Sequence, residues 1–153
     1  MQEKNGGKLP KDLIRIALVL VLGAIAPMLD TTMVNIAVNH FGQDFHTSLD
    51  MVQWIMTGYV LAMGIAVPFS GWLIQRFDGK SVYFMAELLF MISSLLAGFA
   101  WSIDSLIVFR LVQGFAAGLI IPLLTTLMVQ TAGQENIGKL MAIVGFPIIL
   151  GPI

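Results

Sequence analysis

A chain of 153 residues that is 58% hydrophobic and 11% charged, with a mean hydropathy of +0.89, has the composition of a membrane protein, since soluble domains carry about 25% charged residues. The net charge of −1 says nothing about nucleic acid, and no basic patch supports a nucleic-acid binder. Cysteine is absent, which rules out disulfides, thiol chemistry and structural zinc, and His40 and His46 read as loop residues rather than metal ligands.

Residues 1–15 form a polar arm, and the first apolar span runs over 16–37. That span is too long for a signal h-region and no small-residue cleavage site follows it, so it is expected to stay in the membrane. Residues 38–50 are mixed and read as a loop. A second span covers 51–73, a charged loop 75–80, a third span 81–101, a short turn 102–104, a fourth span 105–131, and a fifth 137–153. Each complete span meets the roughly 20 residues needed to cross a hydrocarbon core about 30 Å thick. Without water to satisfy the backbone there, runs of this length must be helices, which makes the fold an all-α membrane bundle of about five spans. The fifth span is still apolar at Ile153, so the expectation is an N-terminal fragment of a larger protein.

Lysine and arginine set the orientation. Lys4, Lys8, Lys11, Arg15, Arg76, Lys80 and Lys139 fall on one side, and the loops on the other side carry none. The excess of positive charge places the N-terminus in the cytoplasm of a multi-pass protein of the plasma membrane. Trp54 and Trp101 then mark the outer interface, and Trp72 and Tyr83 the inner one.

The polar cluster Leu29-Asp30-Thr31-Thr32-Met33-Val34-Asn35 interrupts the first span. A carboxylate at such a depth costs roughly 3 kcal/mol on insertion scales, so it marks a function. Asp30 lies roughly 10 Å below the outer end of span one, and Arg110 lies at roughly 8 Å in span four. Acid and base therefore share a level in two helices, and pairing offsets much of the cost of burying each. Burial and a neighbouring guanidinium pull a carboxylate's proton affinity in opposite directions, so such an acid can hold an exchangeable proton. Two readings stand side by side: a static ion pair that locks two helices, and a proton-coupling pair. A face of threonine and asparagine continuing past Asp30, with Asn35 on it, favours the second.

At 100° per residue, Arg110, Gln113, Gly114, Ala117 and Gly118 fall on one face of span four. The small residues permit close helix approach, and Arg110 and Gln113 project into a cavity or onto a neighbouring helix. The loop Gly71-Trp72-Leu73-Ile74-Gln75-Arg76-Phe77-Asp78-Gly79-Lys80 has turn chemistry at Asp78-Gly79 and charges of both signs, as an ordinary hairpin would. Span five holds Gly145, Pro147, Gly151 and Pro152, which either kink it or reflect the usual tolerance of membrane helices for these residues. Glu87 sits about 9 Å in from the other end of span three, too far to reach Arg110, and carries no assigned role. No catalytic triad, metal cluster or phosphate loop is present, which argues against an enzyme.

Taken together, these residues resemble the EmrB/QacA-type multidrug:proton antiporters of the major facilitator superfamily, which have fourteen helices. Leu29-Asp30-x-Thr32-x-Val34-Asn35-x-Ala37 is similar to the family's first-helix motif, and Trp54-x-x-Thr57-x-Tyr59-x-Leu61-Ala62 follows as it does there. Gly71-x-Leu73-x-x-Arg76-Phe77 resembles the loop between helices two and three, Arg110-x-x-Gln113-Gly114 the fourth-helix motif, and Gly145 to Pro152 the start of the antiporter motif. The chain departs from the pattern at Gln75, where the family has an aspartate, at Asp78, where it has a glycine, and at Asn39, where it has a proline. The closing glycines of the antiporter motif would lie beyond Ile153.

The resemblance implies a partial N-terminal transporter bundle built on three-helix inverted repeats, in which spans one and four are equivalent. It implies proton-coupled efflux of lipophilic drugs by the whole protein, with no cofactor beyond the proton gradient. Asp30 and Arg110 would couple the proton, and Asn35 and Gln113 would line the cavity. Gly71, Arg76, Asp78 and Lys80 would form the gating loop, and Gly145, Pro147, Gly151 and Pro152 the kinked helix. The partners implied are lipophilic small molecules, protons, the bilayer and the remaining C-terminal half, without which the fragment would be inactive. A carrier of another solute, or a truncated membrane protein without transport, remain as alternatives.

Overall fold

Apolar runs of this length can satisfy their backbone in a bilayer only within the segment itself, and the described backbone is accordingly helical. The computed structural model describes the backbone of residues 11–44 and 47–150, and the side chains of 13–34, 36, 47–48, 50–133 and 138. The four elements are α1 (Lys11–Asp44), α2 (Leu49–Arg76), α3 (Gly79–Gly98) and α4 (Ile103–Leu150). Among the described residues four stretches are long and apolar enough to cross a membrane: Leu13–Val34, Asp50–Arg76, Gly79–Gly98 and Ile103–Gly133.

The helix ends follow local chemistry. Asp78 accepts from the Ser81 backbone N–H at 3.0 Å and from its hydroxyl, capping α3 and satisfying one of its orphan donors. Ser102 and Ser105 bond reciprocally, each hydroxyl accepting the other's backbone N–H, which starts α4 two residues earlier than the hydropathy pattern suggests. α3 stops at Gly98 rather than at Trp101, because the Phe99 N–H turns back to the Leu96 carbonyl and the last turn tightens.

The break expected over 132–136 is narrower than the polar sequence suggests. A single residue, Gly133, leaves the helical conformation, with φ 69 and ψ 164, and helix resumes directly after it. That backbone region is in practice open only to glycine, so Gly133 is the residue that separates spans four and five. The fifth expected span continues as α4 to Leu150, and its last three residues lie outside the described ones.

α4 is the helix on which the others rest. α2 and α3 pack along its length and α1 against part of it, while α1 touches α2 less. Its buried row runs through Ala116, Ala117, Leu119, Ile120, Leu123, Leu124, Leu127 and Met128. Lipid is as apolar as leucine, so such packing is driven by close fit rather than by expulsion of water, and glycine is what permits the fit. A Cβ on Gly114 would stand 2.3 Å from the Tyr59 carbonyl oxygen, and one on Gly118 would stand 2.3 Å from that of Met63. The two glycines, one turn apart, therefore seat the α2 backbone directly on α4.

A second close approach joins α1 to α3. The Tyr83 hydroxyl donates to the Leu20 carbonyl at 2.7 Å, and a Cβ on Gly23 would collide with that hydroxyl and with Glu87. Tyr83 is thus a buried cross-link, not the interfacial anchor expected from its place near the end of span three. Its short distance along the helix from Lys80 made it resemble a belt residue, but its face points to α1. Trp54, Trp72 and Trp101 are exposed.

Because the atoms facing Gly114 and Gly118 are backbone, they cannot rotate away from an added methyl. Gly114→Ala and Gly118→Ala should each destabilise the bundle by about 1–3 kcal/mol. Gly64→Ala, where a Cβ meets nothing within 4 Å, should be nearly neutral; unfolding of the purified protein in mixed detergent micelles reads the difference.

Candidate functional site

Gly114 brings Tyr59 of α2 against α4 one turn from Arg110, and this approach builds the site. Arg110 is 3% exposed and Gln113 is 0% exposed. The Arg110 Nη1 donates to Asp30 Oδ2 of α1, forming the sole ion pair among the described residues, and to Gln113 Oε1 at 2.8 Å. The guanidinium carbon lies 5.0 Å from the centre of the Tyr59 ring, within cation–π range. Three helices thus converge on one cation.

The two ends of the ion pair differ in access. The Arg110 side chain is 4% exposed, whereas that of Asp30 is 18% exposed, so the carboxylate is the more accessible of the two. Arg110 also borders a small cavity of about 30 Å³ with Thr31, Val34, Met56, Tyr59 and Val60, which is enough for a water. On its other side Asp30 lines a groove of about 560 Å³ between α1 and α3, walled by Leu22, Met33, Phe84, Met91 and Leu95 among others. The Thr31 and Thr32 hydroxyls donate back to the Pro27 and Met28 carbonyls, at 2.9 and 2.8 Å, so both present only acceptor oxygen outward.

The structure brings together Asp30, Arg110 and Gln113 and disperses the rest of the candidate set. Gln113 meets the neighbouring arginine rather than open space; its Nε2 has no partner among the described residues. Arg76 lies over the Trp72 ring at 5.8 Å, Gly71 faces open space, Asp78 caps α3, and Lys80 lines a separate pocket with Arg15. Gly145 and Pro147 fall in the final part of α4, where only the backbone is described. The Asn35 side chain, Gly151 and Pro152 lie outside the described residues.

Two residues were not picked out by function. Tyr59 holds the guanidinium, and the signal for it was a tyrosine in mid-span, far from either interface where tyrosine normally sits. Glu87 does not approach Arg110, as its position along α3 implies, yet it lines the same groove as Asp30 and lies directly against Gly23.

Removing one member of a buried pair leaves the other charge unmatched. Arg110→Ala should cost about 3 kcal/mol or more, and adding Asp30→Asn in that background should recover part of it. A double-mutant cycle on thermal unfolding measures the coupling; additive effects would contradict the pairing.

The sequence profile described as Major Facilitator Superfamily matches residues 20–153. The chain is 38% identical over 152 residues to the "Multidrug resistance protein B homolog" of Mycobacterium tuberculosis (strain ATCC 25618 / H37Rv), covering 99% of this chain and 28% of that protein. It is 34% identical over 141 residues to the "Multidrug export protein EmrB" of Haemophilus influenzae, covering 92% of this chain and 28% of that one. Against the protein of the same name in Escherichia coli (strain K12) it is 28% identical over 141 residues, with the same two coverages. The chain therefore spans 28% of the length of these curated relatives. A helical bundle held by an intramembrane ion pair, matched by that profile over nearly its whole length, has one family assignment: the chain belongs to the Major Facilitator Superfamily.

Proposed function

We propose that this chain is the N-terminal part of a proton-coupled exporter of lipophilic compounds, with its N-terminus in the cytoplasm and Asp30 as the group that takes and releases the proton. The observation that carries the reading is the asymmetry of the ion pair. A carboxylate that is partly accessible is tied to a guanidinium that is enclosed and has two further supports, Gln113 and Tyr59. The names of the similar proteins, which speak of multidrug resistance and export, give the substrate class its support.

The proposed cycle follows from charge. While Asp30 is ionised it ties α1 to α4 through Arg110. Protonation removes that attraction, and Arg110 keeps its hydrogen bond to Gln113 and its place over Tyr59, so the cation is not stranded. α1 is then freer to move against α4, which is the kind of two-state element that alternating access requires. A positively charged lipophilic compound near Asp30 competes with the proton for the same negative charge, which makes the exchange an antiport. The other half of the path belongs to the longer protein, and this segment alone is not expected to transport.

The test uses the full-length transporter that contains this segment. Asp30→Asn should insert and fold but lose proton-driven drug extrusion from loaded vesicles; extrusion at the parent rate would remove Asp30 from the coupling role. Arg110→Lys keeps the charge but loses the flat guanidinium face that lies over Tyr59, so it should slow extrusion about tenfold or more while preserving assembly. The pair Asp30→Asn with Arg110→Gln separates coupling from a purely structural lock. A lock tolerates this neutral replacement and extrusion persists, whereas a coupling site does not.

A further inference from the structure

Arg15 and Lys80 are 65 positions apart in sequence, yet both line one pocket of about 340 Å³ where α1, α3 and α4 meet. Arg15 stands near the start of the span Leu13–Val34, Lys80 at the start of Gly79–Gly98, and Thr131 near the end of Ile103–Gly133. All three therefore lie at the same membrane surface. The remaining lining is apolar: Ile16, Val19, Leu20 and Leu127.

Two like charges facing one pocket repel, and nothing described there offsets them. Neither cation makes an ion pair among the described residues, and no carboxylate lines the pocket. The acid nearest Lys80 in sequence, Asp78, uses its carboxylate to cap α3 through Ser81, and the side chain of Asp12, one turn before Arg15, lies outside the described residues. The Thr131 hydroxyl donates to the Leu127 carbonyl at 2.7 Å, so it is not a donor to a ligand. The pocket thus offers two cationic donors at its mouth and hydrocarbon beneath them.

From this juxtaposition we propose that the pocket is a binding site for an anionic phospholipid, with the phosphate between Arg15 and Lys80 and an acyl chain along Ile16, Val19, Leu20 and Leu127. A free anion would use the cations and leave the apolar surface bare; a zwitterionic lipid would cover that surface but bring its own positive charge to the mouth. The bound lipid bridges α1 and α3 at the end of the bundle, beside the hydrogen bond by which Tyr83 already ties α3 to Leu20 of α1. The site rests on the membrane placement of the spans and not on transport, so it stands or falls apart from the coupling role of Asp30.

The experiment is native mass spectrometry of the purified full-length transporter, titrated with dioleoyl-phosphatidylglycerol and, separately, with dioleoyl-phosphatidylcholine. A basic residue near the surface contributes about a fivefold preference for anionic lipid. The parent should therefore retain phosphatidylglycerol at least about tenfold more strongly. Arg15→Gln and Lys80→Gln should each lower that preference about fivefold, the double variant should abolish it, and Lys80→Arg should keep it. Equal retention of the two lipids, or an unchanged preference in the double variant, would overturn the proposal. So would displacement of the lipid by inorganic phosphate at millimolar concentration, which would assign the cations to a free anion.

Discussion

A guanidinium in the hydrocarbon layer has no water to turn to, and the rest of this bundle is arranged around that fact. Arg110 meets an acid from α1, an amide one turn along its own helix and an aromatic face from α2. Each partner answers a different need. The carboxylate balances the charge, the amide uses another of the five donors, and the ring covers the cation where no oxygen is available. Taking ions out of water costs several kcal/mol apiece, so a pair with no supporting contacts would hardly be stable. Here the support is unequal, since Arg110 keeps two partners without Asp30 and Asp30 has none described without Arg110.

That convergence depends on how closely α2 can approach α4. Gly114 and Gly118 take the Tyr59 and Met63 carbonyls into contact with the α4 backbone, a distance that any side chain would forbid. Gly23 instead makes room for two side chains of α3, the Tyr83 hydroxyl and the Glu87 carboxyl group. In water a bundle can tolerate loose helix contacts because burial itself drives association. In lipid the gain comes from contact alone, and the glycines stand where contact is tightest. Polar chemistry and backbone approach are therefore one arrangement, and Tyr59 belongs to both.

Much of this was readable in the chain before any fold was known. Asp30 and Arg110 announced themselves because a charge in an apolar run is rare and has to be paired, and the rise per residue put them at one level. The shared face of Arg110, Gln113, Gly114, Ala117 and Gly118 followed from helical periodicity, and all five are buried. Tyr83 was misread because nearness to a span end was taken for exposure, whereas the direction of its side chain depends on where α1 lies. The family resemblance grouped Gly71, Arg76, Asp78 and Lys80, and in the structure Arg76 stacks on a tryptophan, Asp78 caps a helix and Lys80 lines a pocket with Arg15. Adjacent residues in a turn point in unrelated directions, so proximity along the chain says little about common purpose there.

Hydropathy, charge placement and helical period are properties of a line of residues, and by themselves they determined that this chain crosses a membrane as helices, which residues are too polar to be idle, and which face of α4 is the close-packed one. The tertiary structure alone decided which residue of α2 reaches Arg110, that Gly133 confines the break in α4 to a single position, and that Arg15 and Lys80 share a pocket. These depend on the rotation and separation of helices about one another. Those quantities are set by backbone contacts between residues far apart in sequence, where the absence of a single Cβ decides how near two helices can come.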